Sequence, residues 1–433
     1  RSRHIAAYCP LVATRRGRSL ALLRSGTNPH PGSSHGRAAA RVTDCHMELA
    51  VVIPAFTRAH TLERLLLSLA AAEAPTRLPL VVAVDRPVNP AHRAGNAAVI
   101  DLARRFPWPH GPKEVVIHDE HLGLVGNVFY AGGLAERFGA VVLLEDDLVA
   151  ARQIFRYAQD AADYYDADPQ LAGISLNSLP FNGFTHQPFI PLLDDGDVYF
   201  LQLSTPQGQV YTAAQWAAFA AWLAINDRRV TAADGVHDLF TAFPPDDWLA
   251  LKAKYLAATG RSYVYPRESL TTNFGEPGTH FARPTGVFQV PLQHRRRAFR
   301  FLPLAEAVAV YDGFYEIVPE RLNRLTDALK GLDFDVDLYA SKGAHQLAAE
   351  YTLTTRPAEN PPATFGKALR PLEANVIDGV PGQGIALARR ADVDTGRAAT
   401  QAAQRDNDRY FDRRPVAGRG RRLFAHWRRF LGV

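Results

Sequence analysis

From Met47 onward, short apolar runs rich in β-branched residues alternate with longer stretches of helical period. Leu49 to Pro54 predicts a buried strand. Thr61 to Ala72 predicts a helix, with Leu62, Leu65, Leu66 and Leu69 on one face. Pro75 and Pro79 break the chain before a strand at Leu80 to Val84 that Asp85 ends. The theme repeats: a helix from about His92 to Arg105, a strand at Glu114 to Ile117, a helix at Val125 to Arg137 and a strand at Ala140 to Leu144. Further on, the pattern predicts helices at Gln153 to Tyr165, at Ala213 to Leu223 and after Pro245, and a strand at Ala172 to Leu176. Two more helical stretches, Pro319 to Leu332 and Ser341 to Tyr351, follow. Alternation of this kind predicts an α/β fold: a mostly parallel, Rossmann-like sheet flanked by helices, beginning with a doubly wound half. An additional C-terminal subdomain is expected beyond Arg300, and no internal repeat is visible.

Ligands of such sheets collect outside the carboxyl ends of the strands. The residues just past those ends are Arg58, Asp85, His118 with Asp119, and Glu145-Asp146-Asp147. The acidic triplet follows Val141 to Leu144, so its charges sit at the end of a buried strand, where unpaired charge is costly and a cation is wanted. Oxygen ligands suit Mg²⁺ or Mn²⁺, which also holds a diphosphate. An acidic cap on the following helix is the plainer alternative. His118, Asp119 and His121 lack a matching third cluster and make a poor metal site. Gly123, Gly126, Gly132 and Gly133 fail the dinucleotide and Walker fingerprints. Trp216, Phe219 and Trp222 at helical spacing read as core before they read as a sugar platform.

Composition narrows the picture. The chain of 433 residues is 47% hydrophobic, enough for a full core, and its net charge of +5 is too modest for a nucleic-acid partner. Arg1 to His46 is rich in Arg, Ser, Gly and Pro and is expected to be upstream sequence or a disordered arm, with translation starting at Met47. Both cysteines, Cys9 and Cys45, fall there, which leaves the rest without disulfides or Cys-ligated zinc. No apolar run reaches a membrane span, so a cytoplasmic protein is expected. Arg413 to Val433 mixes Arg419, Arg421, Arg422, Arg428 and Arg429 with Leu423, Phe424, Trp427, Phe430 and Leu431. That tail suits peripheral contact with the inner face of the cell membrane, and equally a terminal helix docked on its own domain.

The motifs Val51 to Arg58 and Leu143 to Leu148, then Pro245-Asp246-Asp247-Trp248, Tyr265 to Ser269, Asn273-Phe274-Gly275 and Gly278-Thr279-His280, resemble GT-A glycosyltransferases in order and spacing. The N-acetylglucosaminyltransferase I type is the nearest in pattern, with bacterial family 2-like enzymes behind it. The resemblance covers roughly Leu49 to Phe281. It implies an inverting, metal-dependent transfer of a sugar from a nucleoside diphosphate donor, a UDP-sugar such as UDP-GlcNAc, to a hydroxyl on a glycan or lipid-linked glycan.

By the same resemblance Pro54, Arg58 and Asp85 line the site of the base and ribose, and Asn127 sits beside the diphosphate or ribose. Glu145 and Asp146 would face the donor, with Asp147 the direct ligand of Mn²⁺ or Mg²⁺. Thr279 and His280 belong to a loop that closes over the diphosphate, or to a plain surface turn. Arg58 and Asp85 have an alternative as a surface ion pair, and Asn127 as a helix cap. An acceptor hydroxyl loses its proton as it attacks, so one general base is needed; Asp246 is the first candidate, with its neighbour Asp247. A retaining glycosidase would instead need two carboxylates and no diphosphate machinery. Gln207-Gly208-Gln209 is a candidate acceptor-side loop. The organisation that follows is 47–300 for the transferase domain, 301–412 for an accessory region and 413–433 for the basic tail. The rivals are a sugar-phosphate nucleotidyltransferase, for which the Ala55-Phe56-Thr57-Arg58 turn lacks the Gly-rich basic loop, and a non-catalytic nucleotide-sugar or glycan-binding protein.

Overall fold

The apolar runs at 49–55, 80–84 and 140–143 carry residues that are almost wholly buried, and they stand side by side as the parallel heart of a large sheet. The computed structural model describes residues 47–75, 77–277, 283–295 and 298–412. They belong to the unit His46–Val433. The elements of the first half are β1 (Leu49–Ala55), α1 (Ala59–Ala70), β2 (Leu80–Val84), α2 (Arg93–Arg105), β3 (Lys113–Ile117), α3 (Gly123–Gly133), α4 (Ala135–Phe138) and β4 (Ala140–Leu143). The chain continues through β5 (Leu148–Ala150), α5 (Ile154–Tyr165), β6 (Leu171–Ser175), β7 (Val198–Leu201), β8 (Gln209–Thr212), α6 (Ala213–Ile225), α7 (Trp248–Thr259), β9 (Ser262–Pro266), β10 (Thr271–Asn273) and β11 (Val310–Tyr311). Then come α8 (Pro319–Leu325), β12 (Phe334–Asp337), β13 (Tyr351–Thr354), β14 (Ala363–Phe365), α9 (Ala374–Ile377), β15 (Ile385–Arg389) and α10 (Arg397–Phe411).

Nine strands form the large sheet in the order β11-β7-β9-β6-β8-β4-β1-β2-β3. Neighbours run parallel except around β8 and between β7 and β9, so the sheet is mostly parallel. Helices cover both faces. Alternation along β1 divides the core accordingly: Val51 and Ile53 join the side chains of α1, α2 and α5, while Val52 joins those of α3, α6 and α7. The run β3-β2-β1-β4 reverses direction at β1, and the crevice between the carboxyl ends of β1 and β4 is therefore the place where such sheets bind ligands. A second sheet, β12-β13-β15-β14, is built from the later residues.

The helix expected over Ser341 to Tyr351 is absent. Asp337 accepts the amides of Ser341 and Lys342, Asp335 those of Ala348 and Ala349, and Asp333 that of Glu350. Those carboxylates take the donors a helix would have used, and the segment becomes one 3₁₀ turn leading into β13. The helix expected over Pro319 to Leu332 stops at Leu325, with Thr326 extended.

Trp216 and Phe219 are core, 5% and 0% exposed. A Cβ on Gly132 would lie 2.1 Å from the Trp216 ring, so glycine is what lets α3 approach α6. Beneath them α7 buries Lys252, whose Nζ lies 3.5 Å from the Phe219 ring centre and 4.4 Å from that of Tyr211. Among the described residues this amine has no hydrogen-bond partner, and burial holds its pKa well below the usual lysine value. Lys254, by contrast, donates to the carbonyls of Asp227 and Arg229. Replacing Lys252 by Met removes an orphaned donor and should raise the stability by about 1–3 kcal/mol. The unfolded chain takes up a proton that the folded one refuses, so the parent protein gains stability as pH rises toward the lysine's unfolded pKa of about 10.4. Urea titrations from pH 7 to 10 should show that gain, and Lys252→Met should lack it.

Candidate functional site

A cavity of about 780 Å³ opens at the crevice between β1 and β4. It collects Pro54, Arg58, Asp85, Asn127, Glu145, Asp146, Asp147 and Asp247, all expected from the sequence. Asp246 is absent from its lining.

Arg58 ends the turn after β1 and reaches the acidic triplet after β4. It donates to Asp147 Oδ2 at 2.9 Å and to Asp146 Oδ1. The guanidinium is thus paired with the triplet and not with Asp85. Burial works against its charge, but Asp146 and Asp147 outweigh that and raise its pKa. Asp146 is pushed up to about 6, because burial and Asp147 outweigh the help it receives from Arg58. Glu145 is pushed up to about 8 by burial, Asp147 and Asp146 in that order. One guanidinium does not offset three carboxyl groups, so this corner carries room for a further cation.

Among the described residues no group of three or more His, Cys, Asp or Glu side chains is arranged to hold a metal ion by itself. Mg²⁺ and Mn²⁺ do not need such a cage when a diphosphate supplies the other oxygens; one or two carboxylates suffice. Asp147, whose side chain is 33% exposed at the cavity, fits that role. His118 and His121 are committed elsewhere: the first to Asn127 at 3.0 Å, the second to Asp85 at 2.9 Å.

Asp85 is a buried organiser. Its Oδ1 accepts the amides of Arg86 and Leu122 and its Oδ2 that of Gly123, which fixes the start of α3 against the end of β2. Gly123, at φ +68°, makes that turn possible. Asn96 donates to the carbonyls of Phe56 and Asp85 and so binds the loops after β1 and β2 together. Asn127 lies inside α3 and does not cap it. It donates to the Ala83 carbonyl on β2.

The start of α7, at the Asp246-Asp247-Trp248 element, also borders the cavity. Asp247 is its N-cap, with Oδ1 accepting the amides of Leu249 and Ala250. Capping turns Asp247 inward and its neighbour outward: Asp246 is 65% exposed and faces Arg228 at 3.4 Å. Gln207 lines the cavity, whereas Gln209 is buried in β8. Thr279 and His280 lie outside the described residues. The first part of their loop is tied down, since the two terminal nitrogens of Arg64 donate to Glu276 Oε1 and Oε2 at 3.0 and 2.9 Å and Arg64 covers the Phe274 ring at 3.8 Å. Phe274, Gly275 and Glu276 form part of the cavity wall.

Sequence reasoning missed the aromatic side of this cavity: Phe181, Phe184, Phe240, Phe243 and Tyr315. The Phe181-Asn182-Gly183-Phe184 segment was the one available signal, two rings around a turn-forming pair. The basic tail from Arg413 lies outside the described residues; within them no helix is long and apolar enough to cross a membrane.

No protein-family profile matches the chain, and no curated protein matches it. Among solved structures it is similar to the mannosyltransferase PcManGT from Pyrobaculum calidifontis in complex with GDP-Man and Mn²⁺. Identity there is 16% over 54% of this chain and 59% of that one, with a TM-score of 0.35. It is also similar to S. aureus TarS 1–349 in complex with UDP-GlcNAc, at 15% identity over 54% of this chain and 60% of that one, with a TM-score of 0.31. The alignments span about three-fifths of those neighbours, and likeness at this level carries nothing of their chemistry to this chain.

Proposed function

We propose that the chain transfers a sugar from a nucleoside diphosphate donor, a UDP-sugar by the resemblance of its motifs, to an acceptor hydroxyl with help from Mn²⁺ or Mg²⁺. One observation carries this reading: Arg58 and the Glu145-Asp146-Asp147 triplet meet at the switch point of the sheet, in a cavity that Asp247 also lines. Asp147 would hold the divalent ion, which when bound supplies charge to stabilise the departing diphosphate. Arg58 then offers its guanidinium to the phosphates, and Pro54 and the turn after β1 frame the base and ribose. Asp85 acts by holding the start of α3 in place, and Asn127 by holding β2 to α3.

Asp247 is the preferred base. Its Oδ2 has no hydrogen-bond partner among the described residues, so it is free to accept the acceptor's proton. A single base on the face opposite the leaving group means inversion of the anomeric centre. Asp246 would need to leave Arg228 and turn inward to take that part.

A thermal-shift panel of UDP- and GDP-sugars, with and without Mn²⁺, tests the reading. A donor at about a hundredfold over its Kd should stabilise the protein by about 2.7 kcal/mol. Asp147→Asn should remove the Mn²⁺-dependent part of that shift. No shift with any nucleoside diphosphate would overturn the proposal.

A further inference from the structure

The cavity has two chemically different halves, and the second half bears on the acceptor. Apart from His121 and Tyr315, its titratable side chains are Arg58, Asp85, Glu145, Asp146, Asp147, Asp247 and Glu276, none of which belongs to the aromatic group. Three chain segments far apart in sequence converge there. Phe184 is the hub: it stacks on His237 at 3.8 Å with the planes 2° apart, and meets Phe240 at 5.9 Å and Tyr315 at 5.6 Å edge-on. Phe243 extends the group from Phe240 at 5.6 Å. Burial keeps the His237 imidazole neutral, its pKa pushed down to about 4.

Tyr315 is held there at a backbone conformation that a bulky residue rarely adopts, φ +66°. Asp312 secures it, with Oδ1 accepting the amides of Phe314 and Glu316 and its carbonyl that of Tyr315. Gly183 faces the Tyr315 hydroxyl, which a Cβ there would approach to 3.1 Å. At the mouth Leu239 remains 46% exposed, an apolar surface awaiting cover.

We propose that this aromatic half receives a hydrocarbon group on the acceptor, an aryl ring or an alkyl chain attached close to the hydroxyl that is glycosylated. It rests on the transferase reading, because it takes Asp247 as the boundary at which donor and acceptor meet. A free sugar presents hydroxyls on most of its edges, and Phe181, Phe184, Phe240, Phe243 and Leu239 offer them no partner, the Tyr315 hydroxyl being the exception in the group. A hydrocarbon group instead gains by leaving water, and aromatic rings offer it large area at little entropic cost.

The test uses the full chain and ligand-observed NMR with methyl, phenyl and n-octyl β-D-glucopyranoside, the last below its micellar concentration. Phenyl or octyl glucoside should bind at least tenfold more tightly than methyl glucoside. Leu239→Ser and Phe243→Ser, both at partly exposed positions, should each reduce that preference fivefold or more. Preference for octyl assigns a lipid-chain acceptor and preference for phenyl an aryl acceptor. Equal binding of all three, or a preference untouched by both variants, overturns the proposal. A separate arm with the UDP- and GDP-sugar panel and Mn²⁺ keeps the two readings apart: preference without a shift by any nucleoside diphosphate leaves the hydrocarbon subsite standing while the transferase reading falls.

Discussion

Replacing Asp247 by Asn is expected to cut turnover by roughly 10²–10⁴-fold, the range general-base catalysis supplies, while leaving the fold and donor binding almost unchanged. The separation is possible because the residue has two independent duties. As N-cap of α7 it offers an oxygen to the amides of Leu249 and Ala250, and Asn caps helices about as well as Asp. As a base it needs an ionised carboxylate, which Asn lacks. Asp246→Asn should cost less than tenfold, since that side chain is exposed beside Arg228. Steady-state rates, with the UDP-dependent thermal shift as control, check both variants. A reversed order would show that α7 reorganises its first turn when donor binds. No turnover with the parent protein, despite a donor shift, would favour a binding protein that lacks catalysis.

The pair also shows how far the sequence reads. Order along the chain placed carboxylates at the end of β4 and the start of α7, because buried parallel strands announce themselves as apolar runs and ligands gather at their carboxyl ends. Which of two adjacent aspartates faces the cavity depends on the direction of one helix cap, and adjacent residues at a helix start point apart. Arg58 was legible as a strand-end residue, but its partner was not: the alternative of an ion pair with Asp85 failed because Asp85 spends its oxygens on backbone amides. The aromatic half left only the Phe181 to Phe184 segment as a signal, for a different reason. Phe184, Phe240 and Tyr315 come from three loops that share no period, and only tertiary packing brings them together. The second sheet escaped because its strands are three to five residues long and carry Asp, Thr and Arg among the apolar positions.

That second sheet sustains the largest expected loss of stability. Arg356 donates from Nε to Asp337 Oδ2 at 2.7 Å, from one terminal nitrogen to the Lys342 carbonyl at 2.7 Å and from the other to Thr400 on α10. Both ends of the ion pair are buried, at 2% and 0% side-chain exposure. Glu316 lies in the same pocket of charge. Burial, then Asp337, hold its carboxyl well above the usual range. Lys342 is already paired with Asp312 at 2.7 Å. Arg356→Met therefore strands Asp337 without its counter-ion and leaves a carbonyl and a hydroxyl without donors. The expected cost is about 3–5 kcal/mol, read as a lowered urea midpoint at unchanged slope. Arg356→Lys should recover little, because a single ammonium cannot replace a planar fork that serves three partners. Pairing Arg356→Met with Asp337→Asn should recover part of the loss by removing the stranded charge. If the single variant proves no less stable than the parent, water must reach Asp337 once the guanidinium is gone. The same network secures the Asp312 to Glu316 turn that carries Tyr315, so its integrity supports the aromatic wall of the cavity as well as the second sheet.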